Sequence, residues 1–303
     1  MRIALTLLAL SLTSFADSAS DFIAKKNIDY AGTANARQML DLFIPKKAAD
    51  KPRPLVVYIH GGAWEGGSKN DVGVLPALVT DGNFIAASVG YRLTNEAHWP
   101  AQIHDCKAAI RWLRAHAAEH GIDPERIAVF GISAGGHLVS LLGTTTGDGP
   151  KELEGEIGAD KGVSAKVSCV INFCGPANFL TFADKGSIIS VEAPGTAITK
   201  LLGGPLSANK AAGIACSPVT HITKNDPPFL HIHGTKDNLV PYRQAQEFDA
   251  ALEKAGVSST LLTGTDGPHV FFSKELLAHM KTFLAKHLLG ETKDVAEGPV
   301  AVR

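Results

Sequence analysis

A serine set between two glycines opens the chemistry of this chain. Gly131-Ile132-Ser133-Ala134-Gly135 follows the apolar run 127–130 and heads a helical stretch over 134–142. A strand, a sharp turn and a helix hold a serine hydroxyl exposed above a sheet. The helix N-terminus beside it carries partial positive charge, which favours a developing anion. Glycines suit both flanks because a Cβ there would clash with the crowded backbone. A serine hydroxyl needs a base to become a nucleophile, and the base needs an acid to orient it. A G-x-S-x-G elbow implies the chain order serine, acid, histidine, and in that order the candidates are Asp237 and His269. Asp237 lies just past the apolar run 229–233, and His269 lies between the run 259–263 and the last helical pattern. His269 would take the Ser133 proton and return it to the leaving alcohol, while Asp237 fixes the tautomer. The rivals are worse placed. His279 and His287 fall within a helix, His221 precedes the acid, Asp226 precedes its strand, and Asp266 shares the loop of His269.

Acyl transfer also needs donors where negative charge develops. His60-Gly61-Gly62-Ala63-Trp64 follows the run 55–60, and its two glycines let backbone N–H groups approach a substrate oxygen. Gly61 and Gly62 are the candidates there, with the N–H of Ala134 as the further donor. Trp64, Phe179 and Phe182 are candidates for a substrate-binding wall, with plain packing as the equal alternative. His231 and His233 alternate on one strand, yet no third ligand stands at a suggestive spacing, so no metal is expected. Neither a phosphate loop nor a dinucleotide fingerprint is present, and no cofactor is expected. Of the four cysteines, Cys106 lies on an apolar helical stripe, while Cys174 and Cys216 flank an irregular segment and could pair. Asp105 and Arg111 share a helix and read as fold-internal hydrogen-bonding groups or as surface groups.

These residues need a frame. Short apolar runs recur at 55–60, 84–89, 127–130, 167–173, 229–233 and 259–263. Most are too continuous for strands with one wet face, which suits strands buried on both faces. Helical patterns lie between them. The stretch 100–120 carries Ile103, Cys106, Ile110, Leu113 and Ala117; 242–255 carries Ala245, Phe248 and Leu252; 273–289 carries Leu277, Met280, Leu284 and Leu288. Strand alternating with helix predicts an α/β fold, a doubly wound, mostly parallel sheet with helices on both faces. Residues 143–166 and 176–216 break the rhythm and read as irregular lid loops or binding walls.

The chain has 303 residues, 45% of them hydrophobic, and a net charge of −1. That near-neutral balance argues against nucleic acid as a partner. Residues 3–12 form an apolar run after Met1-Arg2, and Ala16 and Ser18 suit a cleavage site. The expected organisation is a signal peptide over 1–20, one catalytic domain over 21–290 and a flexible tail over 291–303. Export to a secreted or periplasmic location follows from it, with no membrane span after cleavage.

The stretches His60-Gly61-Gly62-Ala63-Trp64 and Gly131-Ile132-Ser133-Ala134-Gly135 together resemble the α/β-hydrolase superfamily. The nearer resemblance is to hormone-sensitive-lipase-like esterases, in the secreted feruloyl-esterase-like and acetylxylan-esterase-like branch. Gly90-Tyr91-Arg92-Leu93, Trp99 to Asp105, Arg111-Trp112-Leu113 and Pro228 to Asp237 extend the likeness over roughly 28–288. Two departures stand out: Ala63 where many relatives carry a third glycine, and Gly267-Pro268-His269 where relatives often carry Asp-x-His-Gly. The resemblance implies a serine esterase working through Ser133, His269 and Asp237 on a small or polysaccharide-linked ester. Acetyl and feruloyl esters of sugars are the implied substrates. An arylformamidase-like or general small-acyl carboxylesterase is the alternative, and a non-catalytic hydrolase-like binding domain is a more distant one.

Overall fold

The computed structural model describes residues 21–147, 149–182 and 186–303. The expected leader over 1–20 lies outside the described residues. Among the described residues nine strands form one sheet. They are β1 (Phe22–Asp29), β2 (Met39–Pro45), β3 (Arg53–Ile59), β4 (Ile85–Val89), β5 (Ile122–Ile132), β6 (Cys169–Phe173), β7 (Phe229–Gly234), β8 (Ser259–Gly264) and β9 (Gly298–Val300). Their order is β1-β2-β4-β3-β5-β6-β7-β8-β9. β1 and β2 run antiparallel to each other, and β2 to β4, while every pairing from β4 through β3 to β9 is parallel.

The helices are α1 (Leu75–Val79), α2 (Ala101–Ala115), α3 (Ala117–His120), α4 (Ala134–Thr144), α5 (Ala197–Leu202), α6 (Lys210–Ala215), α7 (Arg243–Lys254) and α8 (Lys274–Leu284). They divide the core by sheet face. Leu55, Val57 and Ile59 of β3 point into one cluster with Ile110 of α2, Leu138 of α4 and Phe248 of α7. Val56 and Tyr58 of the same strand point into the other, with Leu75 of α1 and Met280 of α8. Side chains alternate across a strand, so an unbroken apolar run means that both faces are covered. That is the predicted doubly wound sheet.

Several elements differ from the sequence expectation. The 100–120 pattern divides at His116, after which α3 runs only to Gly121, whose φ of +68° stops it. The segment 176–216 carries α5, capped by Thr196 accepting from the Thr199 N–H, and α6. The tail carries a short strand. β9 pairs with β8, Val300 is buried, and the Ala301 N–H donates to Glu275 at 2.8 Å. A three-residue Gly-Pro-Val strand has too little periodicity to announce itself, and its stability comes from the edge it covers. β1 escaped for a related reason: as an edge strand it keeps mostly exposed side chains and shows no alternation.

Of the two readings of Asp105 and Arg111, the structure takes the fold-internal one, since both are buried. The buried Asp105 carboxylate accepts from Arg92 Nε at 2.9 Å and Gln38 Nε2 at 2.7 Å, pinning the segment after β4 to α2. Arg111 donates to the Glu154 carbonyl at 2.8 Å and ties the loop over 143–166 to the same helix.

Candidate active site

The site is assembled at the C-terminal ends of the parallel strands, where open α/β sheets place their ligands. Ser133 ends β5 with φ of 57° and ψ of −120°, a strained conformation for a residue with a Cβ. The turn is tight enough to dictate its flanks. A Cβ on Gly131 would lie 2.3 Å from the Gly135 carbonyl oxygen, and one on Gly135 would lie 2.1 Å from that of Ile59. The Ser133 N–H donates to the Phe173 carbonyl at 2.8 Å, and its own carbonyl accepts from the His137 N–H at 3.0 Å as α4 begins. Local sequence and neighbouring strands thus agree on where the hydroxyl points.

The structure brings Ser133, His269 and Asp237 into one hydrogen-bonded line. His269 Nε2 lies 2.9 Å from Ser133 Oγ, and Nδ1 lies 2.7 Å from Asp237 Oδ2. An ionised carboxylate only accepts, so the proton sits on Nδ1 and the Nε2 lone pair faces the serine hydroxyl. Asp237 is anchored on both oxygens. Its Oδ1 accepts from the N–H groups of Leu239 at 2.9 Å and Val240 at 3.0 Å. Its Oδ2 accepts from His233 Nε2 at 3.0 Å as well as from His269. Burial alone would raise the carboxyl pKa, but the bonds from His233 and His269 outweigh it and hold the group well below the usual carboxylate range. Burial likewise disfavours the His269 imidazolium. The Asp237 carboxylate works against it, and the His269 pKa is raised above its ordinary value. A thiolate at Cys174 would add to that rise, but burial pushes the Cys174 thiol up, so it stays protonated near neutral pH.

His233 is a member of the site that spacing did not reveal. Its signal was present: four residues before Asp237, on the strand that delivers the acid. It also donates toward the Val240 carbonyl at 2.8 Å. His231, on the same strand, stacks on Phe229 and meets Phe248 edge-on in the core. The two histidines do not converge on a third ligand. The rivals stay apart: Asp266 pairs with Lys236 at 3.0 Å on the exposed side of the loop, and His221 bonds the Ala215 carbonyl at 2.9 Å.

The glycine loop lies against the serine. A Cβ on Gly61 would meet the Ile132 carbonyl at 2.8 Å and Ser133 Cβ at 3.5 Å. Gly62 has φ of +112°, and its carbonyl is turned away to accept from Gly66 N–H at 2.9 Å. Among the described residues no protein acceptor takes the N–H of Gly62 or Ala134. Ala63 and Trp64 follow at φ of +55° and +58°. Two consecutive left-handed residues with side chains are costly, roughly 1–2 kcal/mol each, and the fold must hold them. The clamp is Trp64 Nε1, which donates to His137 Nδ1 at 3.2 Å. His137 Nε2 in turn donates to the Cys216 carbonyl at 2.7 Å. Burial pushes the His137 pKa down to about 4, so the ring stays neutral with one donor and one acceptor.

This network corrects one expectation. Trp64, Phe179 and Phe182 are at most 3% exposed, and their rings pack on one another and, for Trp64 and Phe179, on His137. Their side chains brace the glycine loop from behind instead of forming an open wall. The possible cystine is corrected too. All four cysteines are free. Cys174 faces His269, Sγ to Nε2 3.8 Å, whereas Cys216 faces His137 at 3.5 Å, in the opposite core cluster.

Comparison with known proteins shows the family. The family model described as BD-FAE matches residues 40–252. Esterase LipC of Mycobacterium tuberculosis is 33% identical over 70% of this chain and 51% of its own length. The probable carboxylic ester hydrolase LipM of the same organism is 36% identical over 64% of this chain and 44% of its own length. The chain therefore spans about half the length of these curated relatives. Among solved structures, a truncated carbohydrate esterase from gut microbiota superposes with a TM-score of 0.81 at 28% identity, covering 89% of this chain and 97% of that one. A bifunctional GH43-CE protein of Bacteroides eggerthii superposes at 0.79 with 32% identity, over 88% of this chain and 35% of that one. With a matched segment running from β2 through most of α7, on an α/β-hydrolase sheet, the chain belongs to the BD-FAE family.

Proposed function

We propose that this protein is an exported serine carboxylic-ester hydrolase that works through an acyl-enzyme. The observation that carries the reading is the relay from Ser133 Oγ through both nitrogens of His269 to the anchored Asp237 carboxylate. His269 Nε2 accepts the hydroxyl proton as Oγ attacks the ester carbonyl. The carbonyl oxygen becomes an oxyanion between the N–H groups of Gly61, Gly62 and Ala134, where one such donor is worth roughly 3–4 kcal/mol. The imidazolium, held by Asp237, then protonates the departing alcohol. Water takes the alcohol's place, gives its proton to His269, and releases the acid from Ser133.

Acetyl or feruloyl groups on carbohydrate hydroxyls are the proposed esters. The support is the family match and the naming of two structural neighbours as a carbohydrate esterase and a GH43-CE protein. A general small-acyl carboxylesterase is the second reading, favoured by curated relatives named arylesterase and carboxylesterase. Export rests on the apolar run over 3–12 and the small residues after it. The proposed catalytic domain begins at residue 21, and the pairing of β9 with β8 supports extending it past the expected end at 290.

The test compares wild type with Ser133→Ala on p-nitrophenyl acetate, butyrate and octanoate, acetylated xylan, methyl ferulate and an N-formyl aromatic amine. Loss of about 10³-fold or more in the variant supports the nucleophile. Preference for acetylated xylan or methyl ferulate supports the carbohydrate reading, and preference for the simple esters supports the second one. Unchanged hydrolysis in Ser133→Ala refutes the mechanism.

A further inference from the structure

Cys174 plays no part in the mechanism above, yet its thiol lies 3.8 Å from His269 Nε2, the nitrogen that also faces Ser133 Oγ at 2.9 Å. Its backbone is in the left-handed region, φ of +47°, a conformation costly for a residue with a Cβ. Cys174, Asp237 and His269 each offer a ligand atom within 4.8 Å of the others. We propose that Cys174 and His269 form a binding site for a thiophilic divalent cation, with Zn²⁺ as its type, and that the bound ion blocks the serine hydrolase.

The donor geometry fits such an ion. Zn–S near 2.3 Å and Zn–N near 2.0–2.1 Å put sulfur and nitrogen about 3.5 Å apart across a tetrahedral centre, close to the 3.8 Å observed. Nε2 carries the lone pair, because Nδ1–H is committed to Asp237. That arrangement of carboxylate, imidazole and metal orients the ring and raises its basicity as a ligand. Asp237 therefore stands behind the imidazole and does not itself coordinate. Ser133 Oγ and water complete the shell. Binding is a displacement of protons: the thiol enters as Cys–S⁻ and releases one H⁺ to solvent, with no change of oxidation state. The ion occupies the lone pair that would accept the serine proton, so hydrolysis stops. The His269 side chain is 13% exposed, so solvent reaches this end of the site.

The second cysteine–histidine pair makes a useful contrast. Cys216 Sγ is closer to its histidine, 3.5 Å from His137 Nε2. That ring has no free lone pair, since Nδ1 accepts from Trp64 and Nε2 donates to the Cys216 carbonyl. Proximity alone does not make a site.

The inhibitory part rests on the proposed hydrolase; the binding part does not, and the experiment reads both. Ester hydrolysis is titrated with Zn²⁺ and with Mg²⁺, each variant normalised to its own metal-free rate. Cd²⁺ binding is followed separately by the ultraviolet charge-transfer absorbance of the cadmium–thiolate bond. In wild type, Zn²⁺ should inhibit, Mg²⁺ should not, and Cd²⁺ should develop the band with a stoichiometry of one. Cys174→Ala should need about tenfold more Zn²⁺, or beyond, for half-inhibition, and should lack the band. Ser133→Ala should keep the band, and so should Cys216→Ala. Should Cys174→Ala fold poorly, Cys174→Ser preserves the size and removes the soft donor, with the same expectations. The site is refuted by equal Zn²⁺ sensitivity in wild type and the Cys174 variants, by a band that survives their substitution, or by inhibition from Mg²⁺ at the same concentrations. A band in the absence of any ester hydrolysis would refute the hydrolase reading and leave the site standing.

Discussion

Replacing Asp237 by asparagine tests the relay at its best-anchored point. The four contacts of the carboxylate are all with donors: two backbone N–H groups on Oδ1 and two imidazoles on Oδ2. An amide has one accepting end and one donating end, so the substituted side chain must set its NH₂ against one pair of donors. The Leu239 and Val240 N–H groups cannot change their character. An imidazole can, by moving its proton. The amide oxygen should therefore turn to the backbone and the NH₂ to His269. His269 then accepts at Nδ1 and carries its proton on Nε2, pointing at Ser133, so the base is lost while the fold keeps its shape. A wrong tautomer of this kind costs on the order of 10⁴ in kcat, equivalent to about 5.5 kcal/mol in the barrier. Initial rates of p-nitrophenyl acetate hydrolysis at pH 8 would measure it, with circular dichroism to confirm folding. The exposed Asp266, on the same loop as His269, supplies the control: Asp266→Asn should stay within about twofold, since its one ion pair is a surface contact. Activity within tenfold of wild type in Asp237→Asn, or a comparable loss in Asp266→Asn, would refute the assignment.

Other consequences follow from the same structure. His269 must be neutral to act as a base, and its pKa is raised by Asp237. As pH falls through that pKa, kcat/KM should fall, with a midpoint above the ordinary histidine value of about 6.5; a midpoint at or below 6 would contradict the electrostatics. Trp64→Phe removes the donor to His137 Nδ1 and leaves a buried acceptor unpaired, costing about 1–3 kcal/mol. Because the lost bond braces the glycine loop, kcat should drop as well as Tm, and an unchanged kcat would disconnect the clamp from the oxyanion site. Gly135→Ala drives a Cβ into the Ile59 carbonyl, a backbone atom that cannot swing aside; loss of soluble, active protein is expected, and a fully active variant would refute the described turn. Deleting residues 291–303 uncovers the β8 edge and removes buried Val300. A loss of roughly 1.5–3 kcal/mol is expected from that side chain alone, readable as a lower Tm; an unchanged Tm would show that β9 adds nothing.

What sequence alone determined here is whatever has a local cause. The turn around Ser133 is legible because only glycine tolerates its crowding, and the sheet is legible because strands covered on both faces read as unbroken apolar runs. Once the elbow motif supplied the order serine, acid, histidine, Asp237 and His269 could be picked out because each follows an apolar run. Tertiary structure decided what depends on partners far along the chain. Trp64 became a brace because His137, arriving from another element, offers it an acceptor. Cys174 and Cys216 could look like partners along the chain, yet the ends of β6 and α6 set them against different histidines in opposite core clusters. The tail became a strand because β8 had an open edge. His233 joined the site because the loop after β7 folds Asp237 back over it. Hydrogen bonds and edge pairings are satisfied by whatever the fold brings near, and one residue's spacing carries no record of that.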